Sequence, residues 1–199
     1  MNTMIRTGLI ALAAAALVAG VKIASTMENL QTAYNREMNV KALYGAFADK
    51  ADKENYPGVA GVFRAVAFSE SVHAANHARA LEAMGGKAVD TIKVPPVKTT
   101  KANLEEALKA EINESGTIYP PFVKQAIKEN NPQAVMSLKG AMASESSHAR
   151  LFSKVMKKAA EWKVKIKILV CRNCGYTSED INIKFCPFCT HPRAEFNEL

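Results

Sequence analysis

Seven side chains stand out by type and spacing. Glu70 and His73 form a Glu-x-x-His pair, and Glu145 and His148 form a second one at an offset of 75 in the numbering. On a helix, residues three apart share a face, so each pair presents a carboxylate and an imidazole together. A single glutamate precedes each pair, Glu37 the first and Glu111 the second, at nearly equal separation. One Glu from each of two helices, plus Glu-x-x-His from each of two others, is how helical bundles hold two iron or manganese ions. Hard carboxylates with two imidazoles suit those metals better than copper. Glu114 lies three residues after Glu111 and has no acidic counterpart in the first half, where Val40 stands in its place. It is either a solvated charge near the bundle end or an extra ligand for one metal.

A second set of candidates is sulfur. Cys171, Cys174, Cys186 and Cys189 form two Cys-x-x-Cys knuckles eleven residues apart, and no cysteine precedes Cys171. Four thiolates at this spacing bind one tetrahedral metal, as a zinc ribbon or a one-iron centre. Four cysteines in 199 residues are too few for a disulfide scaffold.

The elements that must position these residues are helices. From about Ser25 to Ala160 apolar residues recur at three and four spacings, and Ala, Glu, Lys and Leu are common. Four segments are expected. The first runs from about Met27 to Glu54 behind a Ser25/Glu28 capping box. The second runs from Pro57 to Gly85-Gly86. The third starts near Lys101, with a kink expected at Pro120-Pro121. The fourth starts at Pro132 behind Asn131.

The halves repeat. Asn29-Leu30, Ala33 and Glu37 recur at an offset of 74 as Asn103-Leu104, Ala107 and Glu111; Pro57 and Ser69 to Ala74 recur at an offset of 75 as Pro132 and Ser144 to Ala149. A duplicated helical hairpin makes a four-helix bundle. Residues 86–100 look extended, and fifteen such residues reach about 50 Å, enough to cross a bundle about 40 Å long. The expected fold is therefore mainly α: a ferritin-like four-helix bundle with one long crossover, followed by a small β-rich metal domain. Glu37, Glu70, Glu111 and Glu145 continue apolar stripes, so all should face the core, where an uncompensated carboxylate is very unfavourable. His77, one turn after His73, is either close behind the ligands or at the surface. Tyr44 is expected in the core with its hydroxyl hydrogen-bonded.

The expected domains are an apolar leader over 1–25, the bundle over 26–161 and the metal domain over 165–199. Gly8 to Val21 carries no charge across fourteen residues, too short for a membrane-spanning helix of about 20 residues but right for a signal-peptide core. Export to the periplasm or anchoring in a membrane is expected, a cytoplasmic location being the alternative; contact with a membrane would come only through an uncleaved leader. In the C-terminal region, Val164, Ile166, Ile168 and Val170 alternate with lysines as a half-buried strand. Tyr176, Phe185, Phe188 and Phe196 are the candidate core. The net charge of +7 gathers lysines over Lys154 to Lys167 without the aromatic interleaving of a nucleic-acid surface. An acidic redox partner is the better expectation.

From about Glu28 to Phe196 the chain resembles the rubrerythrins, a family that joins a di-iron bundle to a rubredoxin-like domain. The residues that carry the resemblance are Glu28-Asn29-Leu30, Glu37 with Tyr44, Phe63, the segment Glu70 to His77, Glu111 with Glu114 and Tyr119-Pro120, Glu145 to Ala149, both cysteine knuckles, and His191-Pro192. The resemblance implies that Glu70 and Glu145 bridge two irons, with Glu37 and His73 on one and Glu111 and His148 on the other. It implies that the first iron moves between His73 and Glu114 with oxidation state, and that the cysteines hold a mononuclear iron. Glu114, His73 and Tyr44 become the candidate catalytic residues, a carboxyl or the Tyr hydroxyl supplying protons. The implied activity is reduction of hydrogen peroxide to water in oxidative-stress defence, with electrons arriving from a rubredoxin or a reductase. The implied assembly is at least a homodimer, with one subunit's rubredoxin-like centre near its partner's di-iron site. Thr190 departs from the family, where many members have Gly. Ferrous oxidation with iron storage or buffering is the alternative function. A zinc-bearing structural module is a third class, which the di-iron ligands disfavour.

Overall fold

The structure, a computed structural model, describes residues 24–158 and 162–199. The apolar leader up to residue 23, and the expected helix end at Ala160, lie outside the described residues. Helices α1 (Thr26–Lys53) and α2 (Pro57–Ala83) form one hairpin, and α3 (Thr100–Asn113), α4 (Tyr119–Lys128) and α5 (Pro132–Lys157) form the other. The local signals act as expected. Ser25 and Glu28 close a capping box, and the Asn131 side chain accepts from the Ala134 amide at 2.9 Å. After α2, Gly85 takes φ +78°, the left-handed turn that a Cβ would strain.

The long connection between α2 and α3 runs extended along α1 and is held by a ladder of amides. Gln31 donates to Val89 O at 2.9 Å and accepts from Val89 N at 3.1 Å. Asn35 accepts from Thr91 N at 3.1 Å, and Asn39 donates to Thr91 O at 2.9 Å while accepting from Lys93 N. One step of four residues on a helix is about 6 Å, nearly the two-residue step of an extended chain. Amides at i, i+4 and i+8 can thus satisfy alternate linker residues. Nothing in composition signals this ladder.

The expected kink at Pro120-Pro121 is displaced. Residues Glu114–Ile118 form a π-helical turn, in which the Tyr119 amide bonds Glu114 O, and α4 continues through both prolines. The prolines fall in the first turn after the widening, where a missing N–H costs little. A π turn is in effect one residue inserted into an α-helix. It accounts for the change in repeat offset: Glu37 and Glu111 are 74 apart, but Tyr44 and Tyr119 are 75 apart.

The core lies in two parts. One gathers Tyr44, Phe47, Phe63, Phe152 and Val155; the other gathers Leu30, Leu81, Tyr119, Leu138 and Ala141. On α1, α2 and α5 the expected metal ligands fall between them. Tyr44 sits edge-on to Phe152 at 5.5 Å and tilted against Phe63 at 5.7 Å, a rigid aromatic floor beneath the site.

The C-terminal unit is a three-stranded antiparallel sheet ordered β2-β1-β3, with β1 at Leu169–Cys171, β2 at Thr177–Ser178 and β3 at Phe196–Glu198. The expected strand from Val164 is shorter than its alternation suggested. Val164 is exposed, whereas Ile168 to Cys171 are all buried. Ile168 and Val170 pack into the bundle's core while Leu169 and Cys171 face the knuckles, so both faces are covered. Phe196 belongs to the small core with Tyr176 and Phe188 against it, but Phe185 is exposed and outside it.

Candidate metal centres

Glu37, Glu70, Glu111, Glu145, His73 and His148 are all buried where α1, α2, α3 and α5 face one another. Their ligand atoms fall into two groups, each within 4.8 Å: Glu37, Glu70, His73 and Glu145, and Glu70, Glu111, Glu145 and His148. Glu70 and Glu145 belong to both, the geometry of two metal positions with shared carboxylates. The imidazoles stack with centroids 5.9 Å apart. His73 Nδ1 lies 2.8 Å from Glu70 and 3.2 Å from Glu145; His148 Nδ1 lies 2.8 Å from Glu145 and 3.2 Å from both Glu70 and Glu111.

Four carboxylate oxygens here, Glu37 Oε2, Glu70 Oε1 and both oxygens of Glu145, make no well-formed hydrogen bond and face only the two histidine Nδ1 atoms at 2.8 to 3.9 Å. Buried orphans of this kind are strongly unfavourable unless a cation meets them. Burial, then the charge of Glu37, pushes Glu70 up to about 7; burial, then Glu145, pushes Glu111 up to about 8. Burial opposes charge on both histidines, yet the surrounding carboxylates, Glu145 foremost at His73 and Glu70 at His148, raise them well above the usual imidazole range. Against its own burial, Glu37 is held down at about 2 by His77 and His73. The donor set fits two hard divalent ions, which would replace these shared protons.

Behind the ligands stand groups that the sequence signalled weakly. The Tyr44 hydroxyl donates to Glu111 at 2.5 Å, and the Tyr119 hydroxyl donates to Glu37. The two tyrosines are repeat mates holding repeat-mate glutamates, a pairing visible in the sequence once the offset of 75 is applied. His77 is buried, with Nε2 at 3.1 Å from Tyr119 and Nδ1 at 2.7 Å from Ser137, so it belongs close behind the ligands and not at the surface. Glu114 is also buried, not solvated; it stands outside both donor groups and pairs with Arg36.

The four sulfurs form the second centre. All are free thiols within 4.8 Å of one another, with Cys171 to Cys189 and Cys174 to Cys186 each at 3.5 Å. A disulfide is excluded at that distance. A tetrahedral ion with metal–sulfur bonds of about 2.3 Å needs sulfurs about 3.8 Å apart. Hydrogen bonds from Cys171 and Cys174 pull Cys186 down to about 2, so the cluster shares protons as the carboxylates do. Thr190 adopts φ +60°, a strained value for a β-branched residue where Gly would sit freely. His191 Nδ1 lies 3.3 Å from Cys189 Sγ.

The two centres meet within one chain. Ser69 donates to Gly175 O at 2.5 Å, Ser144 donates to Cys174 O at 3.0 Å, and Asn76 donates to Asn173 O at 2.9 Å. Ser69 and Ser144 each precede a Glu-x-x-His pair, so the duplication yields two serines that grip consecutive carbonyls of one knuckle. The Ser69 hydroxyl also lies 3.0 Å from His148 Nε2 and 3.4 Å from His73 Nε2. Gly175 takes φ +81°, and a Cβ there would overlap His73 Nε2 and Ser69 Oγ. In this chain the knuckle that approaches the carboxylate–histidine site is its own.

The rubrerythrin family model matches residues 28–156. The chain belongs to the rubrerythrin family. It is 32% identical over 179 residues to rubrerythrin-2 of Clostridium acetobutylicum, covering 88% of this chain and 97% of that protein. It is 30% identical over 175 residues to nigerythrin of Nitratidesulfovibrio vulgaris, covering 87% and 86%. Fully reduced, all-ferrous nigerythrin is similar in structure, with a TM-score of 0.84, 27% identity, and coverage of 99% of this chain and 100% of that one. Both centres of this rubrerythrin are iron centres: the carboxylate–histidine pair holds two ions, and the four thiolates hold one.

Proposed function

We propose that this rubrerythrin is a peroxidase that reduces hydrogen peroxide to water, drawing electrons through its four-thiolate iron. The observation that supports turnover over iron storage is the contact of Gly175 with Ser69 and His73. It sets the electron port one hydroxyl away from both histidines. When bound, the two ferrous ions supply the two electrons that split the O–O bond, and two protons complete two waters.

The chain's residues do the rest. Glu70 and Glu145, common to both donor groups, would be shared by the two ions; Glu37 with His73, and Glu111 with His148, would hold the two ends. Tyr44 and Tyr119 fix the terminal glutamates by hydrogen bonds, so each carboxylate keeps one oxygen for metal. The Ser69 hydroxyl accepts the outer Nε2–H of His148 and donates its own hydrogen bond to Gly175 O, which orients the ring with Nδ1 inward. A Tyr hydroxyl or the Glu114 carboxyl serves as the proton source. The external donor is a rubredoxin or a reductase that meets the exposed edge of the knuckles, where Cys189 is only half-buried.

Mixing the all-ferrous protein anaerobically with peroxide, and separately with oxygen, tests this in a stopped-flow instrument. Peroxide is expected to oxidise the pair faster by about tenfold or more. Oxygen reacting as fast would favour the ferrous-oxidation and storage alternative. Export or membrane anchoring remains part of the proposal, and an intact mass of the native protein shows whether the leader is removed. Among the described residues, no helix is long and apolar enough to cross a membrane.

A further inference from the structure

Arg36 carries no spacing signal in the sequence. It lies next to Glu37 on α1 and reaches across to the π turn, where its Nη2 meets Glu114 Oε1. Glu114 is almost fully buried while Arg36 is about one-third exposed, at 2% and 35%. Both line an open cleft of about 410 Å³ with Thr32, Asn35, Asn39 and Val40. Glu114 is near enough to Glu37, Glu145 and Glu111 to feel their charges, yet it is in neither donor group. Among the described residues, Arg36 is the only ion-pair partner that Glu114 has.

Charge balance shows what the pair does. Once metal has displaced the shared protons, Glu37, Glu70, Glu111, Glu114 and Glu145 carry five negative charges in a buried space. Two divalent ions and one guanidinium neutralise them; two divalent ions alone leave one carboxylate uncompensated, which burial makes costly. Glu114 is the one carboxylate not already aimed at a metal. If Arg36 is removed, Glu114 must take up a proton or turn to the metal pair.

We propose that Arg36 is a positioning residue that holds the Glu114 carboxylate out of the metal cluster, keeping a coordination position open on the cleft side for a small oxygen ligand such as peroxide. This rests on the two-ion reading of the site and deepens the peroxidase reading by naming where the oxidant arrives. The side chain touches no metal ligand atom itself; it acts through Glu114.

Cobalt(II) and azide test the proposal without peroxide turnover. Cobalt absorbs more strongly in the visible at four or five coordination than at six. The Arg36→Gln variant, with zinc in the four-thiolate site and cobalt in the two bundle positions, is expected to lose visible intensity and to bind azide about tenfold more weakly or worse. Arg36→Lys should keep both properties, because an ammonium still pairs with Glu114. The double variant Arg36→Gln/Glu114→Gln should regain intensity and azide affinity, which also shows that Arg36→Gln acts through Glu114 and not through misfolding. Wild-type spectra and azide affinity in Arg36→Gln would overturn the proposal, as would a double variant no better than the single one. Neither result depends on whether peroxide or oxygen is the oxidant, so a failure here is distinct from a failure of the peroxidase reading.

Discussion

The first and second halves of the bundle carry the same ligands but not the same surroundings. In the first half, Glu37 is followed by regular helix to Tyr44 and Val40 is an ordinary apolar residue. In the second half, a π turn over Glu114–Ile118 adds one residue between Glu111 and Tyr119. The glutamates common to both donor groups, the histidines and the tyrosines stay in step. The only chemical gain is Glu114, brought inside and paired with Arg36 from the opposite hairpin. Duplication thus builds a near-symmetric site, and Glu114, in the place of Val40 where the helix widens, makes its two ends unequal. Wide turns of this kind recur at functional sites because they re-aim a side chain without breaking the helix.

The comparison can be broken most severely at what the halves share. Glu70→Ala or Glu145→Ala should cost both bundle irons, since each carboxylate belongs to both donor groups. Glu37→Ala should cost only one. Iron analysis per chain, with the thiolate iron as internal standard, distinguishes them; equal losses would mean that no carboxylate is shared. Next in size is Glu114→Ala, which should retain both irons but slow peroxide turnover by about tenfold. Unchanged turnover would strip Glu114 of any role in the cycle. Deleting Gly116 should convert the π turn to regular α-helix, restore the offset of 74 and reproduce the Glu114→Ala loss with iron retained.

A smaller effect concerns pH. Glu70 near 7 and Glu111 near 8 keep their protons in the metal-free fold, whereas the unfolded chain loses them at ordinary carboxylate values. The histidines, raised above their usual range, work in the same sense, since they bind protons more tightly when folded. The unfolded state therefore binds fewer protons, and stability of metal-free protein should fall as pH rises from about 5 to about 8. Metal-loaded protein should show no such fall, because metal has replaced the protons. Denaturant midpoints at three pH values check both curves. The smallest effects are expected from Tyr44→Phe, at about 1 kcal/mol for one hydrogen bond, and Tyr119→Phe, which should cost more because its hydroxyl also meets His77. Thermal unfolding should rank them in that order; equal losses would mean that the His77 contact adds nothing.

Much of the fold was legible in the sequence because the signals were local or periodic. Capping residues, Pro at helix starts, Gly85 and the doubled Glu-x-x-His depend on neighbours within a turn. The strand before Cys171 was misjudged in length because its burial comes from the bundle on one side and the knuckles on the other, which alternation cannot express. Phe185 was misplaced for a similar reason: a core of four cysteines and a few apolar residues has no room for every aromatic near it.

What the sequence determined by itself was the inventory and symmetry of the site: seven carboxylate and imidazole groups on four helices, four thiols in two knuckles, and a repeat that set them face to face. Periodicity settles this, because a residue's helix face follows from its number. Only the tertiary structure decided which groups meet across elements. It brought Arg36 to Glu114, Ser69 and Ser144 to the knuckle carbonyls, and the thiolate centre to its own bundle. Those contacts join residues 30 to 106 positions apart, where no local spacing rule reaches and only packing chooses the partner.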